Sequence, residues 1–223
     1  MATLLSTKKL KRNQQELILN AGFSFVEYNA IQISFQDFKI PSNLNNAIFT
    51  SKNAVKAFFH CGGLENKNIN CFCVGPKTEA LLIEKGFKII KTTDNAADLA
   101  DFIIKSFKNV HFYFFCGNKR RGELPSTLTE NKVSLTEIEA YSTALKPKQF
   151  SQKFEAVLFF SPTGVQSFAK LNTWDTLLAV CIGETTASEA KKHTSNLAIA
   201  NSTTIESVIA KAVKTIKNYD RKN

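Results

Sequence analysis

Six short stretches of this sequence combine the residue types that bind anions, and each follows an apolar run typical of a strand. They place hydroxyls, glycine or a small amide where a helix is predicted to start: Ser6-Thr7-Lys8, Thr50-Ser51, Gly75-Pro76-Lys77-Thr78, Cys116-Gly117-Asn118, Ser161-Pro162-Thr163 and Gly183-Glu184-Thr185-Thr186. Free N–H groups and the helix dipole at such a start favour anions. A single corner is better explained as a helix cap. Together the six predict a donor-rich site for a polyanionic small molecule.

The sequence contains few residues that could act as catalysts. His60, His111 and His193 are each predicted at the end of a helix or the start of a strand. None has an acidic residue at a spacing that would indicate a catalytic pair. There is no GxSxG turn, no phosphate loop and no GxGxxG turn, so nucleotide binding is not indicated. Any reaction must therefore use an intrinsically reactive substrate that the protein holds in a defined shape.

The chain is strongly basic, with 29 Lys and Arg against 19 Asp and Glu and a net charge of +10. Such a surface attracts anions and speeds their arrival, although a basic host proteome explains the same balance. The densest basic runs, residues 8–12 and 119–121, lack an aromatic RNA-binding signature or zinc-finger spacing. We therefore expect no nucleic-acid partner.

The five cysteines, Cys61, Cys71, Cys73, Cys116 and Cys181, are odd in number, and several lie in apolar runs. They indicate buried thiols in a reducing compartment and no metal site. No signal-peptide pattern and no apolar run of spanning length is seen. These features predict a cytoplasmic protein without a membrane partner.

The order of the corners indicates an internal duplication. CVGPKTEALLIEKG from Cys73 is echoed by CIGETTASEAKKHT from Cys181, and 181 − 73 = 108. FTSKNAVKAF from Phe49 is echoed by FFSPTGVQSF from Phe159, and 159 − 49 = 110. Two weaker pairs share nearly the same offset, so we infer a repeat of about 109 residues.

Both copies alternate strands with helices, which predicts an α/β fold with mostly parallel sheets. The predicted strands are ATLLST, FSFVEY, NAIFT, INCFCVG, FKIIKT, VHFYFFCG, VSLTEIEAY, AVLFFS, LLAVCIG and NLAIA. The predicted helices start near Asn13, Lys52, Lys77, Asn95, Glu123, Pro162, Thr185 and Thr204. Ligands of such sheets bind beyond the carboxyl ends of the strands, where the six corners lie.

The ordered motifs FTSKNAV, CVGPKTEALLIEKGF, CGNKRRGELPSTL, EAYST, FFSPTGVQSF and CIGETTA resemble those of the uroporphyrinogen-III synthases over nearly the whole chain. The resemblance implies two similar doubly wound parallel-sheet domains, flavodoxin-like or Rossmann-like, joined by two strands. It implies a discontinuous first domain, residues 1–33 plus 146–223, and a second domain, residues 38–140. Residues 31–38 and 139–146 would be the paired crossing strands.

The implied reaction is a cofactor-independent hydro-lyase step. Linear hydroxymethylbilane, a flexible polycarboxylate, closes to uroporphyrinogen III in a cleft between the domains, with loss of water and inversion of ring D. Tyr141 in EAYST matches the family position discussed for the proton donor, although a tyrosine that only packs the hinge fits equally well. The resemblance also implies a monomer, with no more than a transient contact with the preceding enzyme of its pathway.

The expected substrate contacts are the corner residues that match the family motifs: Thr7, Thr50, Ser51, Gly75, Lys77, Thr78, Gly117, Asn118, Ser161, Thr185 and Thr186. Two positions depart from the family pattern. Glu184 stands where many relatives have proline. Lys8 and Lys9 stand where an arginine often follows the first strand, which keeps the charge but not a bidentate geometry. A non-catalytic two-lobed binding protein for an anionic metabolite remains the alternative function, and turnover of hydroxymethylbilane separates the two.

Overall fold

A computed structural model describes residues 2–63, 68–174 and 177–220, except for the side chain of residue 220. In these ranges the strands are β1 (Thr3–Ser6), β2 (Ser24–Glu27), β3 (Ile31–Phe35), β4 (Asn46–Phe49), β5 (Asn70–Val74), β6 (Lys88–Thr93), β7 (His111–Gly117), β8 (Ser134–Leu145), β9 (Ala156–Phe159), β10 (Leu178–Cys181) and β11 (Leu197–Ile199). The helices are α1 (Arg12–Asn20), α2 (Lys52–His60), α3 (Pro76–Glu84), α4 (Ala96–Ser106), α5 (Glu123–Glu130), α6 (Pro162–Ala169), α7 (Glu184–Ala190) and α8 (Ile205–Asp220).

The chain divides into two compact units. The first unit contains the residues up to Gln32 and those from Ala144 onward, and the second unit contains Ile33–Thr143. The boundary therefore falls inside β3 and inside β8, which are hydrogen-bonded neighbours in one sheet. Their flanking segments are also joined, since the N–H of Gln36 donates to Ala140 and the N–H of Lys146 donates to Ala30.

Each unit is built on one sheet, and equivalent strands take the same places in the two sheets, although the chain visits them in a permuted order. The first unit has the order β11-β10-β9-β1-β2, with every pair parallel. In chain order this is 2-1-3-4-5, the flavodoxin-like doubly wound arrangement. The second unit has the order β6-β5-β4-β7-β8, also parallel, with β3 added beside β8. The predicted fold class is confirmed.

The shared arrangement explains the repeat in the sequence. Strands β4, β5 and β6 of the first copy take the places in the second unit that β9, β10 and β11 of the second copy take in the first unit. In the same way, β7 and β8 take the places of β1 and β2. Each sheet therefore contains strands from both copies of the repeat.

The buried strands alternate between two cores, one on each face of their sheet. In β9, Val157 and Phe159 pack into one apolar cluster, whereas Ala156 and Leu158 pack into the other. In β4, Phe49 and Ile48 divide in the same way between the two clusters of the second unit. Successive strand side chains point to opposite faces, and helices cover both faces, so continuous apolar runs are the expected pattern.

Phenylalanine fills the core of the second unit. Phe115 is fully buried and stacks on Phe49 with ring centroids 5.2 Å apart. Its ring meets Phe58 edge-on at 4.9 Å. Offset-stacked and edge-on rings are the favoured aromatic geometries, so this cluster fixes β4 and β7 against helix α2. The carboxyl ends of these two strands carry the corners that begin at Thr50 and Cys116.

Four of the five cysteines are buried, and Cys61 is partly exposed. Burial raises the pKa of Cys71 and of Cys181 to about 12. Burial, and next the negative charge of Glu137, raises the pKa of Cys116 to about 11. These thiols therefore stay protonated near neutral pH and are poor nucleophiles.

Candidate functional site

The switch point of the second sheet, between β7 and β4, brings several predicted site residues together. At this point the crossovers leave the sheet toward opposite faces, and ligands of doubly wound folds bind there beyond the strand ends. Ser51 follows β4, Gly117 ends β7, and Tyr141 lies in β8 beside it. These residues are far apart in sequence, and parallel strand pairing makes them neighbours.

The hydroxyl group of Tyr141 is hydrogen-bonded to Ser51. The Oγ of Ser51 donates to the Tyr141 Oη at 3.1 Å, and the same Oγ accepts the N–H of Ala54 at 3.1 Å. Ser51 is therefore the N-cap of α2 and the partner of the phenol at once. Tyr141 is partly buried, and it packs against the cluster that contains Phe49, Phe58 and Phe115.

Gly117 allows Tyr141 to approach the end of β7 closely. A Cβ atom at Gly117 would lie 2.5 Å from Tyr141 Cζ and 2.9 Å from its hydroxyl oxygen. The register of β7 against β8 shifts here, because Cys116 pairs with Glu139 while Gly117 pairs with Tyr141. This shift sets the tyrosine ring over the glycine, so only glycine fits at position 117.

Asn118 fixes the backbone on the carboxyl side of Tyr141. Its N–H donates to the Tyr141 carbonyl at 3.1 Å, and its Oδ1 accepts the N–H of Thr143 at 2.9 Å. Asn118 itself is exposed, whereas Thr143 is buried. The predicted residue Asn118 therefore orients the strand that carries the tyrosine, and its Nδ2 group remains at the surface of the corner.

A mixed-charge cavity of about 360 Å³ adjoins this corner. It is lined by Cys116, Gly117, Asn118, Arg120, Glu137 and Glu139. The guanidinium group of Arg120 contacts both carboxylate oxygens of Glu137, with Nη2 2.8 Å from Oε1. Sequence patterns place Arg120 in a basic run and in one of the family motifs, and they do not predict this ion pair.

The remaining predicted residues of the second unit lie at the ends of β4 and β5. Thr50 is partly buried at the end of β4. Gly75 precedes α3 with φ of 85°, a left-handed conformation that favours glycine. Lys77 is exposed in the first turn of α3, whereas the Thr78 side chain is only 5% exposed. Lys77 is therefore more accessible than Thr78 for a direct side-chain contact with a ligand.

The predicted residues of the first unit lie at its switch point, between β1 and β9, and at the corner that follows β10. Thr7 is buried, and its Oγ1 donates to the Leu158 carbonyl at 2.7 Å. Ser161 caps α6 by accepting the N–H of Gly164 at 3.0 Å. Thr185 is exposed at the start of α7, whereas Thr186 is 1% exposed.

The three histidines have partners outside these corners. His111 contacts Ser134 and Thr136 at the opposite, amino-terminal end of β7, at 2.6 and 3.1 Å. The ring of His193 stacks on that of Trp174 with the centroids 5.1 Å apart, and the ring centroids of His60 and Phe35 are 5.6 Å apart. Within residues 2–63, 68–174 and 177–220 there is no group of three His, Cys, Asp or Glu side chains suited to a metal ion.

These features define a class of protein: an α/β enzyme scaffold of two parallel-sheet units with permuted, doubly wound strand orders. The same fold occurs in the crystal structure of the uroporphyrinogen-III synthetase of Helicobacter pylori, with a TM-score of 0.73 at 18% identity, covering 96% of this chain and 100% of that one. A mutant uroporphyrinogen III synthase of Thermus thermophilus matches with a TM-score of 0.66 at 12% identity, over 100% of both chains.

The family is shown by the sequence itself. The family model described as uroporphyrinogen-III synthase HemD matches residues 13–210. A search of curated proteins finds no match. The chain belongs to the uroporphyrinogen-III synthase family, as the sequence motifs predicted.

Family membership defines the activity. The protein is an enzyme of haem and tetrapyrrole biosynthesis that acts on a small polypyrrole substrate. It cyclises linear hydroxymethylbilane to uroporphyrinogen III, with loss of water and inversion of ring D. In the part of the chain that the structure describes, no helix is long and apolar enough to cross a membrane.

Proposed function

We propose that the cyclisation is a cofactor-independent hydro-lyase reaction in which Tyr141 donates a proton to the departing hydroxyl group. The observation that carries this proposal is the Tyr141 hydroxyl at the switch point of the second sheet, held by Ser51 Oγ at 3.1 Å. A neutral phenol near physiological pH is a weak acid that can donate a hydrogen bond or a proton in a transition state.

The chemistry needs little from the protein beyond this proton. The electron-rich pyrrole expels the hydroxyl group of its CH2OH substituent, the C–O bond breaks, and the hydroxyl leaves as water with the proton from Tyr141. The substituted carbon of ring D then bonds to the resulting cation and becomes the centre of a spiro intermediate. The older bond from this carbon to the methylene of ring C breaks, the methylene bonds to the free α-carbon of ring D, and the proton of that carbon returns to the Tyr141 phenolate. Holding the chain in the reactive conformation supplies much of the acceleration, which agrees with the scarcity of catalytic residues.

The substrate carries an acetate and a propionate on every pyrrole, and we propose that the corners bind these carboxylates. The contacts are mostly backbone N–H groups and hydroxyl groups, from Thr50, Ser51, Gly75, Lys77, Thr78, Gly117 and Asn118 in the second unit and from Thr7, Ser161, Thr185 and Thr186 in the first. Hydrogen bonds to a charged group contribute about 1.5–3 kcal/mol each. The net charge of +10 adds a long-range attraction for a polycarboxylate.

We also propose a domain organisation and cellular setting for the enzyme. Residues 1–33 plus 146–223 and residues 38–140 form the two domains, and residues 31–38 and 139–146 are the crossing strands. The division of the chain within β3 and β8 supports these boundaries. The enzyme works as a cytoplasmic monomer without nucleic acid or membrane, and it contacts the preceding pathway enzyme only transiently.

The test is a product assay with protein stripped of metal ions by a chelator. Hydroxymethylbilane is generated in place, the protein is added, the products are oxidised, and the type I and type III uroporphyrins are separated. We expect type III uroporphyrin at the same rate before and after stripping. Type I alone, the product of unassisted closure, would contradict the activity, whereas a loss that an added metal restores would contradict cofactor independence.

A further inference from the structure

Ser51 lies between the start of α2 and the hydroxyl group of Tyr141. The preference for serine at a helix start does not by itself explain the contact with the tyrosine. A serine hydroxyl has one donor hydrogen and two acceptor sites. The Ala54 N–H uses one acceptor site, at 3.1 Å, and the hydroxyl hydrogen is directed to the oxygen of Tyr141, also at 3.1 Å. The one donor hydrogen of Ser51 and one of its two acceptor sites are therefore used within the protein.

The direction of the second bond decides what Ser51 does to the phenol. Because Ser51 donates, the hydroxyl hydrogen of Tyr141 is not used in this bond and remains available for another acceptor. A donated hydrogen bond stabilises the negative charge that develops on Oη as its proton leaves. The N–H end of α2 adds positive potential at the same place.

We infer that Ser51 is a positioning residue for Tyr141, which orients the phenol and stabilises its developing phenolate, rather than a contact for the substrate carboxylates. This inference rests on the proposed role of Tyr141 as proton donor. It replaces the substrate-contact role proposed for Ser51 above and leaves the other proposed contacts unchanged.

The internal repeat separates the capping role of Ser51 from the contact with tyrosine. Ser161 is the equivalent residue, and it caps α6 through Gly164 at 3.0 Å. Among the described residues, Ser161 forms this cap bond and no hydrogen bond to a tyrosine. Capping therefore accounts for a serine at both positions, and the phenol contact is an additional feature of Ser51.

The first measurement compares Ser51→Ala with the wild type in the product assay. We expect kcat for type III formation to fall about tenfold, as the loss of one hydrogen bond to a developing charge predicts, with KM unchanged. Ser51→Thr keeps the hydroxyl group and should restore most of kcat. A rise in KM with kcat unchanged would instead identify Ser51 as a substrate contact and overturn the inference.

The second measurement is a double-mutant cycle with Tyr141→Phe. If Ser51 acts through the phenol, Ser51→Ala lowers kcat in the wild-type background and has no further effect in the Tyr141→Phe background. An equal loss in both backgrounds would overturn the inference and leave the proposed role of Tyr141 intact. Full turnover of Tyr141→Phe would instead refute the proton donor, and the inference would fall with it.

Asn95→Ala provides the control for the loss of a helix cap. Asn95 caps α4 in the same unit by accepting the N–H of Asp98 at 2.9 Å, and it is not one of the proposed site residues. Removing a cap lowers stability, so both variants should lower Tm. We expect only Ser51→Ala to lower kcat. A similar loss of kcat in Asn95→Ala would show that weakening the unit is sufficient and would overturn the inference.

Discussion

Replacing Tyr141 by phenylalanine is expected to lower kcat for uroporphyrinogen III formation by about 100-fold and to leave KM nearly unchanged. General acid catalysis typically contributes about 10²–10⁴-fold, and the electron-rich pyrrole lowers the demand on the acid. The ring of Tyr141 keeps its packing against the phenylalanine cluster in this variant, because only the hydroxyl oxygen is removed. Initial rates over a range of hydroxymethylbilane concentrations, with separation of the uroporphyrin isomers, give both constants.

Tyr113→Phe is the matched control for the loss of a tyrosine hydroxyl in the second unit. Tyr113 lies in β7, and its hydroxyl donates to Asn43 Oδ1 at 2.6 Å, away from Ser51 and Gly117. We expect this variant to lose some stability and to keep its kcat. Wild-type turnover in Tyr141→Phe, or an equal loss in Tyr113→Phe, would remove Tyr141 from the proposed chemistry.

Replacing Gly117 by alanine is expected to lower kcat by about 100-fold or more, although the substituted residue carries no functional group. The new Cβ would meet Tyr141 Cζ at 2.5 Å, so the ring must move and the bond from Ser51 is lost. A displacement of about 1 Å at a catalytic group can cost on the order of 10²-fold in rate. The rate is measured in the same isomer assay, together with Tm.

Gly122→Ala is the control in the same loop. A Cβ at Gly122 would have only Ser126 Oγ near it, at 3.9 Å, so alanine fits there. We expect wild-type kcat for this variant. The collision at Gly117 can also be tested through stability, since Gly117→Ala should cost less Tm in a Tyr141→Ala background than alone. Wild-type kcat in Gly117→Ala would contradict the close approach of the ring.

The sequence predicted the alternation of strands and helices because burial on both faces leaves a direct pattern. The four residues of β4 and the four of β9 are all buried, and apart from Asn46 they appear as apolar runs. The polar residues that follow, Ser51 and Ser161, cap the next helices as the capping interpretation predicted. The repeat offset predicted two similar α/β folds, whose shared strand arrangement the structure shows.

The contacts around Tyr141 could not be predicted, because they depend on the pairing of distant strands. Ser51 and Tyr141 are separated by 90 residues. The closeness of Gly117 to Tyr141 results from a one-residue register shift between β7 and β8. A glycine in a strand is a weak signal of such an irregularity, but it does not identify the residue that packs over it. Even a correct prediction of both strands would have paired Gly117 with Ala140.

The sequence also could not distinguish exposed corner hydroxyls from buried ones. Thr7, Thr78 and Thr186 are each 5% exposed or less, whereas Thr185 is exposed. All four residues share the same local pattern of a polar residue shortly after an apolar strand. The difference arises from how each corner packs against its sheet, which depends on long-range contacts.

The central claim is that the reacting end of the substrate meets the hydroxyl group of Tyr141, and a crystal structure with bound uroporphyrinogen III tests it most directly. We predict a product atom within about 3 Å of Tyr141 Oη, with the bond from Ser51 retained on the other side of the same oxygen. A bound product that makes no contact with Tyr141 and has its inverted ring at another place would contradict the claim.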